Sequence, residues 1–175
     1  MSIYAQAAQV SAEFRPVDPR AICNLILDEA EMPVTNVILQ HLLYFSHGMF
    51  LAATEQPLVY GYFEAWEQGP RHPAAYGAFE GAGDQPIDFR AISFDRVTRR
   101  ALAISYPSDP QTLNLVRRVV RTHGRIESGR LMDLAQASNG PWRYILDKPG
   151  TYGVFGTRIS DNVIIERFKY HKVAV

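Results

Sequence analysis

The chain has 175 residues, of which 47% are hydrophobic and 21% charged, a composition typical of one globular domain and not of a disordered chain. Its formal net charge is zero, and its single cysteine, Cys23, excludes an internal disulfide and is expected to be a small buried hydrophobe. The start of the chain lacks the basic residues and continuous apolar stretch of a signal peptide, so we expect a cytoplasmic protein. No linker, repeat or low-complexity tract divides residues 16–175, which are predicted to form one domain.

Two helices are predicted to follow a flexible N-terminal arm of residues 1–15. Asp18 is placed to cap the first helix, which runs from Pro19 to about Ala30. Thr35 is placed to cap the second helix, which continues to Thr54. Because the connection between them is so short, we expect the two helices to pack against each other as a helical hairpin.

The second helix carries apolar side chains in nearly every direction, which predicts that it is buried at the centre of the domain. Its polar side chains fall on one narrow line, formed by Asn36, Gln40, His47 and Thr54. Since Gln40 and His47 interrupt the apolar surface, the helix is not predicted to span a membrane. We expect His47 to form a hydrogen bond with a neighbouring turn.

A strand, a turn and a short helix are predicted next. The stretch Leu58–Trp66 is rich in β-forming residues and ends at Glu67-Gln68-Gly69-Pro70, whose glycine and proline predict a turn. Pro73 suits the first turn of a helix over Pro73–Phe79. The aromatic side chains near the turn either form an exposed recognition patch or pack on the core, and we favour packing over the core helix for Trp66 and Tyr44.

Two motifs in this region resemble those of the Panacea domain, a family also called SocA-like or phage-associated. The family reads approximately Q-K-L-L-Y-F-A-Q-G and then E-A-W-x-x-G-P-V-x-P-x-x-Y, which correspond here to residues 40–48 and 64–76. The resemblance implies a bacterial antitoxin that binds a cognate protein toxin directly, by occlusion or by handing it to a protease, without catalysis or a cofactor. The matching residues, for which a mainly structural role is expected, are Gln40, Leu43, Tyr44, Gly48, Glu64, Trp66, Gly69, Pro70, Pro73 and Tyr76.

Residues 77–106 have the least regular pattern. Gly77–Pro86 contains Gly-Ala-Gly-Asp and is predicted to be a loop. Ile87–Tyr106 allows two alternatives, namely short strands around a polar turn or a helix through Asp95–Ala103. We favour short strands or irregular structure.

A helix is predicted from Pro110 to His123, with Asp109 or Ser108 as its cap and Gly124 as its end. One side of this helix is apolar and the other is cationic. The cationic side and the residue just beyond the helix supply the candidate partner-binding residues, which are Arg117, Arg118, Arg121 and Arg125.

Zero net charge hides an asymmetry, because residues 1–89 carry a formal charge of −8 and residues 90–130 one of +6. The arginine face can therefore contact an acidic toxin surface, bind phosphates, or match the acidic first half of the same chain, and we favour the internal match. Arginine outnumbers lysine 15 to 3, which favours planar, bidentate contacts. Nucleic-acid binding is disfavoured, because no helix pair typical of groove reading is apparent.

Several short elements are predicted in the last third of the chain. In order, they are a helix from Ser128 to about Ala137, a turn over Ser138–Pro141, a partial helix over Trp142–Leu146, a strand within Tyr152–Thr157 and a helix from Asp161 to about Tyr170. Ser128 and Ser160 are placed to cap the first and the last of these helices.

The Panacea resemblance continues in this part of the chain. Family members commonly carry L-[ST]-x-x-T-H-x-E-x-P-W, and this chain matches the end of that segment with Pro141 and Trp142. The Thr-His of the family falls on Gln136 and Ala137, and its acidic position falls on Asn139. The resemblance therefore supports the fold here but no shared chemical site.

No residue pattern points to catalysis or to a metal. None of the five histidines has the spacing of a metal motif such as H-E-x-x-H. Cys23 has no local base, and no serine lies in a G-x-S-x-G elbow. An enzyme site assembled across the fold would need an open polar cleft around Gln40 and His47. We therefore expect no enzyme activity, cofactor or metal.

The predicted fold is an α+β, predominantly α-helical, single compact domain with a buried central helix and a small, mostly antiparallel β-sheet. The function implied by the resemblance is that of a cytoplasmic, non-catalytic antitoxin whose partner is a protein toxin. The alternative is a DNA-binding regulator of phage or toxin–antitoxin origin that uses the arginine face.

Overall fold

The structure begins with a capped helix, as the sequence predicts. The computed structural model describes residues 14–171, so the arm predicted over residues 1–15 lies almost wholly outside the described residues. Helix α1 (Pro19–Glu29) has Asp18 as its N-cap, whose carboxylate accepts a hydrogen bond from the Arg20 amide over 2.9 Å. The predicted first helix is confirmed.

Helix α2 (Asn36–Thr54) lies at the centre of the domain. Thr35 caps it by accepting a hydrogen bond from the Ile38 amide, as predicted. The helix is long and apolar enough to cross a membrane by length and composition alone, but 67% of its most apolar window is buried inside the protein. Such burial is typical of the core helix of a globular domain. Helices α1 and α2 pack against each other, which confirms the predicted pairing.

A tight hairpin follows α2. Strands β1 (Phe63–Trp66) and β2 (Gly69–Arg71) pair antiparallel, with only residues 67 and 68 between them. The predicted turn is confirmed at residues 67 and 68, but its second half is wrong, because Gly69 and Pro70 belong to β2. A proline is tolerated there, because β2 lies at the edge of its sheet and needs no second ladder of hydrogen bonds.

Strand β1 begins later than the β-forming run over residues 58–66 predicts. Before it, Val59 pairs with Val17 in an isolated parallel bridge. Gly61 then adopts φ of 89°, a left-handed conformation that interrupts the strand. A side chain at this position would also collide with His72, because a Cβ would lie 2.7 Å from its Nε2.

A second, separate hairpin occupies the stretch for which the sequence left two alternatives. After α3 (Pro73–Phe79), a 3-10 turn (Glu80–Ala82) lies within the predicted loop. Strands β3 (Ile92–Asp95) and β4 (Arg100–Ala103) then pair with each other. Short strands are therefore confirmed, and the alternative of a helix through this stretch is wrong.

The remaining described elements complete the domain. They are α4 (Pro110–His123), α5 (Ser128–Ala135), α6 (Pro141–Asp147), β5 (Thr157–Ile159), α7 (Asp161–Arg167) and a 3-10 turn (Phe168–Tyr170). Strand β5 pairs antiparallel with β1 and gives a sheet of order β2-β1-β5. The caps predicted at Asp109 and Ser160 are confirmed.

Two local predictions in this region are wrong. The cap of α5 is Glu127 and not Ser128, because the Glu127 carboxylate accepts hydrogen bonds from the amides of Gly129 and Arg130. The strand predicted within residues 152–157 begins only at its last residue, because two glycines in this stretch adopt positive φ.

Five helices surround α2, namely α1, α3, α4, α5 and α7. Leu39, Leu42, Leu43, Tyr44 and Phe45 of α2 are fully buried in the cluster that they form. Cys23 of α1 is buried as expected. The predicted fold class, an α-rich α+β domain with a buried central helix and a small antiparallel sheet, is confirmed.

Candidate functional site

Polar side chains of α2 fix the end of the β1–β2 hairpin. Gln40 is 3% exposed, and its side-chain oxygen accepts a hydrogen bond from the His72 amide over 3.0 Å. The Gln40 amide group donates to Asn36 Oδ1 over 3.0 Å, and Asn36 Nδ2 donates to the Tyr76 carbonyl over 3.1 Å. This series of bonds ties α2 to both the end of β2 and the helix α3. The polar line predicted on α2 therefore makes contacts inside the domain.

His41 fixes the turn of the same hairpin. Its Nε2 donates a hydrogen bond to the Gln68 carbonyl over 2.7 Å. Burial lowers the pKa of His41 to about 4, so the ring is neutral at pH 7 and its single proton is on Nε2. Gly69 is required beside the ring, because a Cβ there would lie 2.8 Å from Nε2 and because the backbone φ is +114°.

Two side chains from the late part of the chain hold the opposite side of the hairpin. Trp142 Nε1 donates to the Trp66 carbonyl over 2.8 Å, and Gln136 Nε2 donates to the Glu67 carbonyl over 2.7 Å. Gln136 is one of the residues that depart from the family pattern, and its amide anchors the turn. Sequence reasoning missed this role, because no local pattern links two residues 69 positions apart.

Trp66, Arg71 and Tyr76 form a stacked group on the outer side of the hairpin. The Arg71 guanidinium lies 3.7 Å from the centre of the Tyr76 ring and 4.9 Å from that of Trp66. Trp66 Nε1 donates to Glu64 Oε2 over 2.8 Å. The expectation that Trp66 packs over the core helix is wrong, because side chains alternate along β1 and Phe63 occupies the core side. Trp66 is half-buried on the opposite side.

Tyr44 connects α2 to the last described residue. Its hydroxyl lies 2.8 Å from His171 Nε2, while His171 Nδ1 lies 2.8 Å from the Leu134 carbonyl. Because a carbonyl only accepts, Nδ1 carries the proton and Nε2 accepts from the Tyr44 hydroxyl. Burial lowers the pKa of His171 to about 4 and raises that of Tyr44. On the same helix, Gly48 leaves space for the Phe168 ring, which a Cβ would approach to 2.0 Å.

His47 joins α2 to two other segments, which confirms the hydrogen bond expected for it. Its Nδ1 accepts from the Val59 amide over 3.4 Å, and its Nε2 donates to Asp161 Oδ1 over 2.9 Å. His47 and Gln40 are both buried, and Gln40 lines a small pocket of about 10 Å³ together with His41 and Arg71. Among residues 14–171, no three His, Cys, Asp or Glu side chains approach closely enough to share a metal ion.

The buried contacts just described involve the motifs that resemble the Panacea domain, and a profile of the family described as "Antitoxin SocA-like, Panacea domain" matches residues 39–143. The chain belongs to this family. A similar protein is Antitoxin SocA from Caulobacter vibrioides (strain NA1000 / CB15N), which is 43% identical over 162 residues, covering 91% of this chain and 86% of the relative. No solved structure matches the chain. The resemblance seen in the motifs is thus confirmed.

The arginine face of this Panacea domain is partly engaged within the chain. Arg117 Nε lies 2.8 Å from Glu29 Oε1, and Arg125 Nη2 lies 2.9 Å from Glu31 Oε2. Both acids lie at or just beyond the end of α1, so part of the charge asymmetry is matched internally. Arg118 and Arg121 are exposed and form no ion pair in the part of the chain that the structure describes. The two halves of the predicted arginine face therefore differ in their availability to a partner.

The β3–β4 hairpin of the Panacea domain exposes apolar side chains that sequence reasoning did not single out. Phe94 is 61% exposed and Ile92 57%, and Val97 in the connecting loop is 93% exposed. The same loop carries Arg96 and Arg99. Alternating apolar residues predict a strand, but whether their face meets the core depends on packing with distant residues.

Proposed function

We propose that this chain is a cytoplasmic, non-catalytic antitoxin that neutralises a cognate protein toxin by binding it directly. The observation that carries the proposal is its similarity to Antitoxin SocA across most of the chain. The motifs of the family lie on α2 and the β1–β2 hairpin, where Gln40, Tyr44 and Gly69 are buried, so we infer that this part of the chain is the scaffold of the domain.

Binding, rather than catalysis, is the activity that the arrangement of polar groups favours. Gln40, His41 and Trp142 direct their polar atoms at backbone groups of the β1–β2 hairpin. A catalytic acid or base has to reach a substrate atom, and the polar atoms of Gln40 and Trp142 are already bonded inside the protein, while His41 Nδ1 is buried. Their role is to position the hairpin and not to transform a ligand.

The arginine face supplies one candidate contact surface for the toxin. Arg118 and Arg121 are exposed on α4, and guanidinium groups bind carboxylates in a planar, bidentate geometry. Arg117 and Arg125 flank these two residues but form ion pairs with Glu29 and Glu31, respectively. We infer that the toxin presents an acidic surface to this face. Arg118 and Arg121 contribute more to binding that surface than Arg117 and Arg125 do.

Occlusion of the toxin's active surface is the simplest mechanism for such a protein. It requires only that the bound antitoxin cover the groups through which the toxin acts. Handing the toxin to a protease is the second mechanism that the proposal includes. Depletion of an ATP-dependent protease distinguishes them, because growth rescue persists under occlusion and is lost if delivery is required.

Co-expression with the product of the neighbouring gene tests the proposal. We expect that product alone to arrest growth, and the two proteins together to restore growth and to co-purify in a fixed ratio. The double variant Arg118→Glu/Arg121→Glu is expected to weaken the complex at least tenfold, because like charges then face each other across the interface. Arg15→Glu/Arg130→Glu, a double charge reversal at two exposed positions outside the arginine face, is the matched control. Absence of both toxicity and a complex would contradict direct neutralisation.

A DNA-binding regulator is the second candidate, favoured by Arg118 and Arg121, which form no ion pair among residues 14–171. Phosphate contacts predict binding that weakens steeply with salt, with a slope that falls when an arginine is removed. An electrophoretic shift of the duplex upstream of the gene, measured at low and at physiological salt, decides the matter. No shift at low salt removes this candidate.

A further inference from the structure

The β3–β4 hairpin is a two-stranded sheet with an exposed apolar face. Its register places Ile92 opposite Ala103 and Phe94 opposite Ala101, so these four side chains share one face. Ile92 is 57% and Phe94 61% exposed, and both alanines are exposed as well. Within the described residues neither strand pairs with a further strand. The outer edges of the two strands therefore lack a neighbouring strand in this part of the chain, and the Ile92 carbonyl accepts a hydrogen bond from Arg20.

Hydrogen bonds to α1 hold the base of this hairpin in place. The Asn24 side chain donates to the Ala91 carbonyl and accepts from the Ala91 amide, both over 2.9 Å. Arg20 Nη1 donates to the Ile92 carbonyl over 3.3 Å. Asn24 is buried, so the segment entering β3 has a fixed position on the domain. The exposed face is thus presented by an anchored element.

An exposed apolar face on an isolated hairpin is unusual in a protein that acts alone. A two-stranded hairpin is only marginally stable by itself, and natural proteins cover or blunt exposed sheet edges to prevent unwanted pairing. Apolar patches that remain exposed commonly mark surfaces for protein recognition. Ile92 and Phe94 have the exposure that such a surface requires.

The charge of the hairpin indicates which kind of partner surface would bind its apolar face. Arg96, Arg99 and Arg100 lie at the end of the hairpin, and none of them forms an ion pair within the described residues. The hairpin also carries Asp95, whose carboxylate accepts hydrogen bonds from the amides of Val97 and Thr98 in the connecting loop. The apolar face consequently has a positive rim at one end.

One of these arginines has a backbone conformation that costs free energy for a residue other than glycine. Arg99 adopts φ of 56°, a left-handed conformation that glycine or asparagine adopts more readily. Nucleic acid would use the charge of these arginines but would leave Ile92 and Phe94 unburied, whereas an acidic protein surface satisfies both features.

We propose that the β3–β4 hairpin is a docking surface for the toxin. An acidic segment of the toxin packs on the face of Ile92 and Phe94 and places carboxylates against the arginines at the end of the hairpin. This inference rests on the proposed function, because it takes the toxin to be the bound partner.

The test compares matched apolar-to-polar changes at two exposed places. Ile92→Thr/Phe94→Thr keeps β-forming side chains but removes the apolar face, and Tyr152→Thr/Phe155→Thr changes an exposed loop elsewhere. Affinity for the neighbouring gene's product is measured by calorimetry, and rescue by growth. We expect the hairpin variant to bind at least tenfold more weakly and the loop variant within about twofold of wild type. Arg96→Glu/Arg100→Glu is expected to slow association and to alter its salt dependence.

The possible results separate this inference from the proposed function. If the wild-type chain forms no complex, the proposed function fails and the docking surface fails with it. If wild type and hairpin variant bind equally, only the docking surface is wrong. A fall of several degrees in the melting temperature of the variant alone would show that the same chain covers this face. A wild-type dimer that the hairpin variant abolishes would identify a second copy as the occupant. Either of the last two results would overturn the inference.

Discussion

Replacement of Gln40 by methionine tests whether the family motif acts as the scaffold of the domain. Methionine has nearly the same length and volume as glutamine, so the change leaves no large cavity. It removes the bond that Gln40 accepts from the His72 amide and the one that it donates to Asn36, each of 3.0 Å. Both partner atoms lie at buried residues and lose their bond partner.

The expected loss of stability follows from those two buried groups. A buried donor without a partner costs about 1–3 kcal/mol, and the bond to Asn36 contributes about 1 kcal/mol more. We expect Gln40→Met to lower the free energy of unfolding by about 3 kcal/mol. For a domain of this size each kcal/mol corresponds to about 2–4 °C, so the melting temperature should fall by about 6–12 °C.

Urea denaturation followed by tryptophan fluorescence measures this change, because Trp66 and Trp142 lie at the hairpin that Gln40 supports. Gln111→Met, at an exposed position of α4, is the matched control and should stay within about 0.5 kcal/mol of wild type. A loss below about 0.5 kcal/mol in Gln40→Met would refute the reasoning. The folded variant should bind the toxin within about threefold of wild type, because Gln40 is buried and does not contact a partner.

Two further predictions concern packing and protonation. Gly48→Ala should destabilise the protein by about 1–3 kcal/mol, because the added Cβ would lie 2.0 Å from the Phe168 ring. Gly77→Ala is the control and should not destabilise the protein, because its Cβ would meet no atom within 4 Å. Equal effects of the two changes on the melting temperature would contradict this prediction. Burial lowers the pKa of His41 and of His171 to about 4, so the unfolded chain binds more protons between that pH and about 6.5. Stability should therefore fall on acidification through this range, by roughly 2 kcal/mol per histidine from pH 7.5 to pH 5, and urea midpoints that do not change would contradict it.

The helix starts were predictable because capping is a local interaction. Asp18, Thr35 and Asp109 each accept a hydrogen bond from an amide two or three residues later, so the information lies within one turn of chain. The cap at Glu127 was missed for an equally local reason. Serine is the commoner cap, and the sequence places Ser128 directly after a glutamate that uses both carboxylate oxygens.

The contacts that organise the candidate site were less accessible to sequence reasoning. Gln136 and Glu67 are 69 residues apart, and Tyr44 and His171 are 127 apart. No periodicity encodes such pairs, because they depend on the way in which complete elements pack. The resemblance to the Panacea domain indicated residues for which a structural role is expected, but it did not give the partner of each one.

The contacts between charged segments were predictable from the sequence only in part. Counting charges along the chain predicted that basic and acidic segments meet, and the pairs Arg117–Glu29 and Arg125–Glu31 show that some do. Counting does not reveal which arginines stay unpaired, because that depends on the direction of each side chain around α4. Arg118 is exposed and lies about 100° around α4 from Arg117, although the two are adjacent in sequence.

Partner recognition in this domain has to use groups that the fold does not need. The polar atoms of Gln40 and Trp142 already form hydrogen bonds with the β1–β2 hairpin. A toxin that bound these side chains would first have to break those buried bonds. Phe94 and Arg121 are exposed, and their replacement should leave the core intact. If binding residues and stabilising residues are separate in this way, surface substitutions can change the partner that the domain recognises without lowering its stability. Variants at Phe94 or Arg121 should accordingly alter affinity without altering the melting temperature, and Gln40→Met should do the reverse.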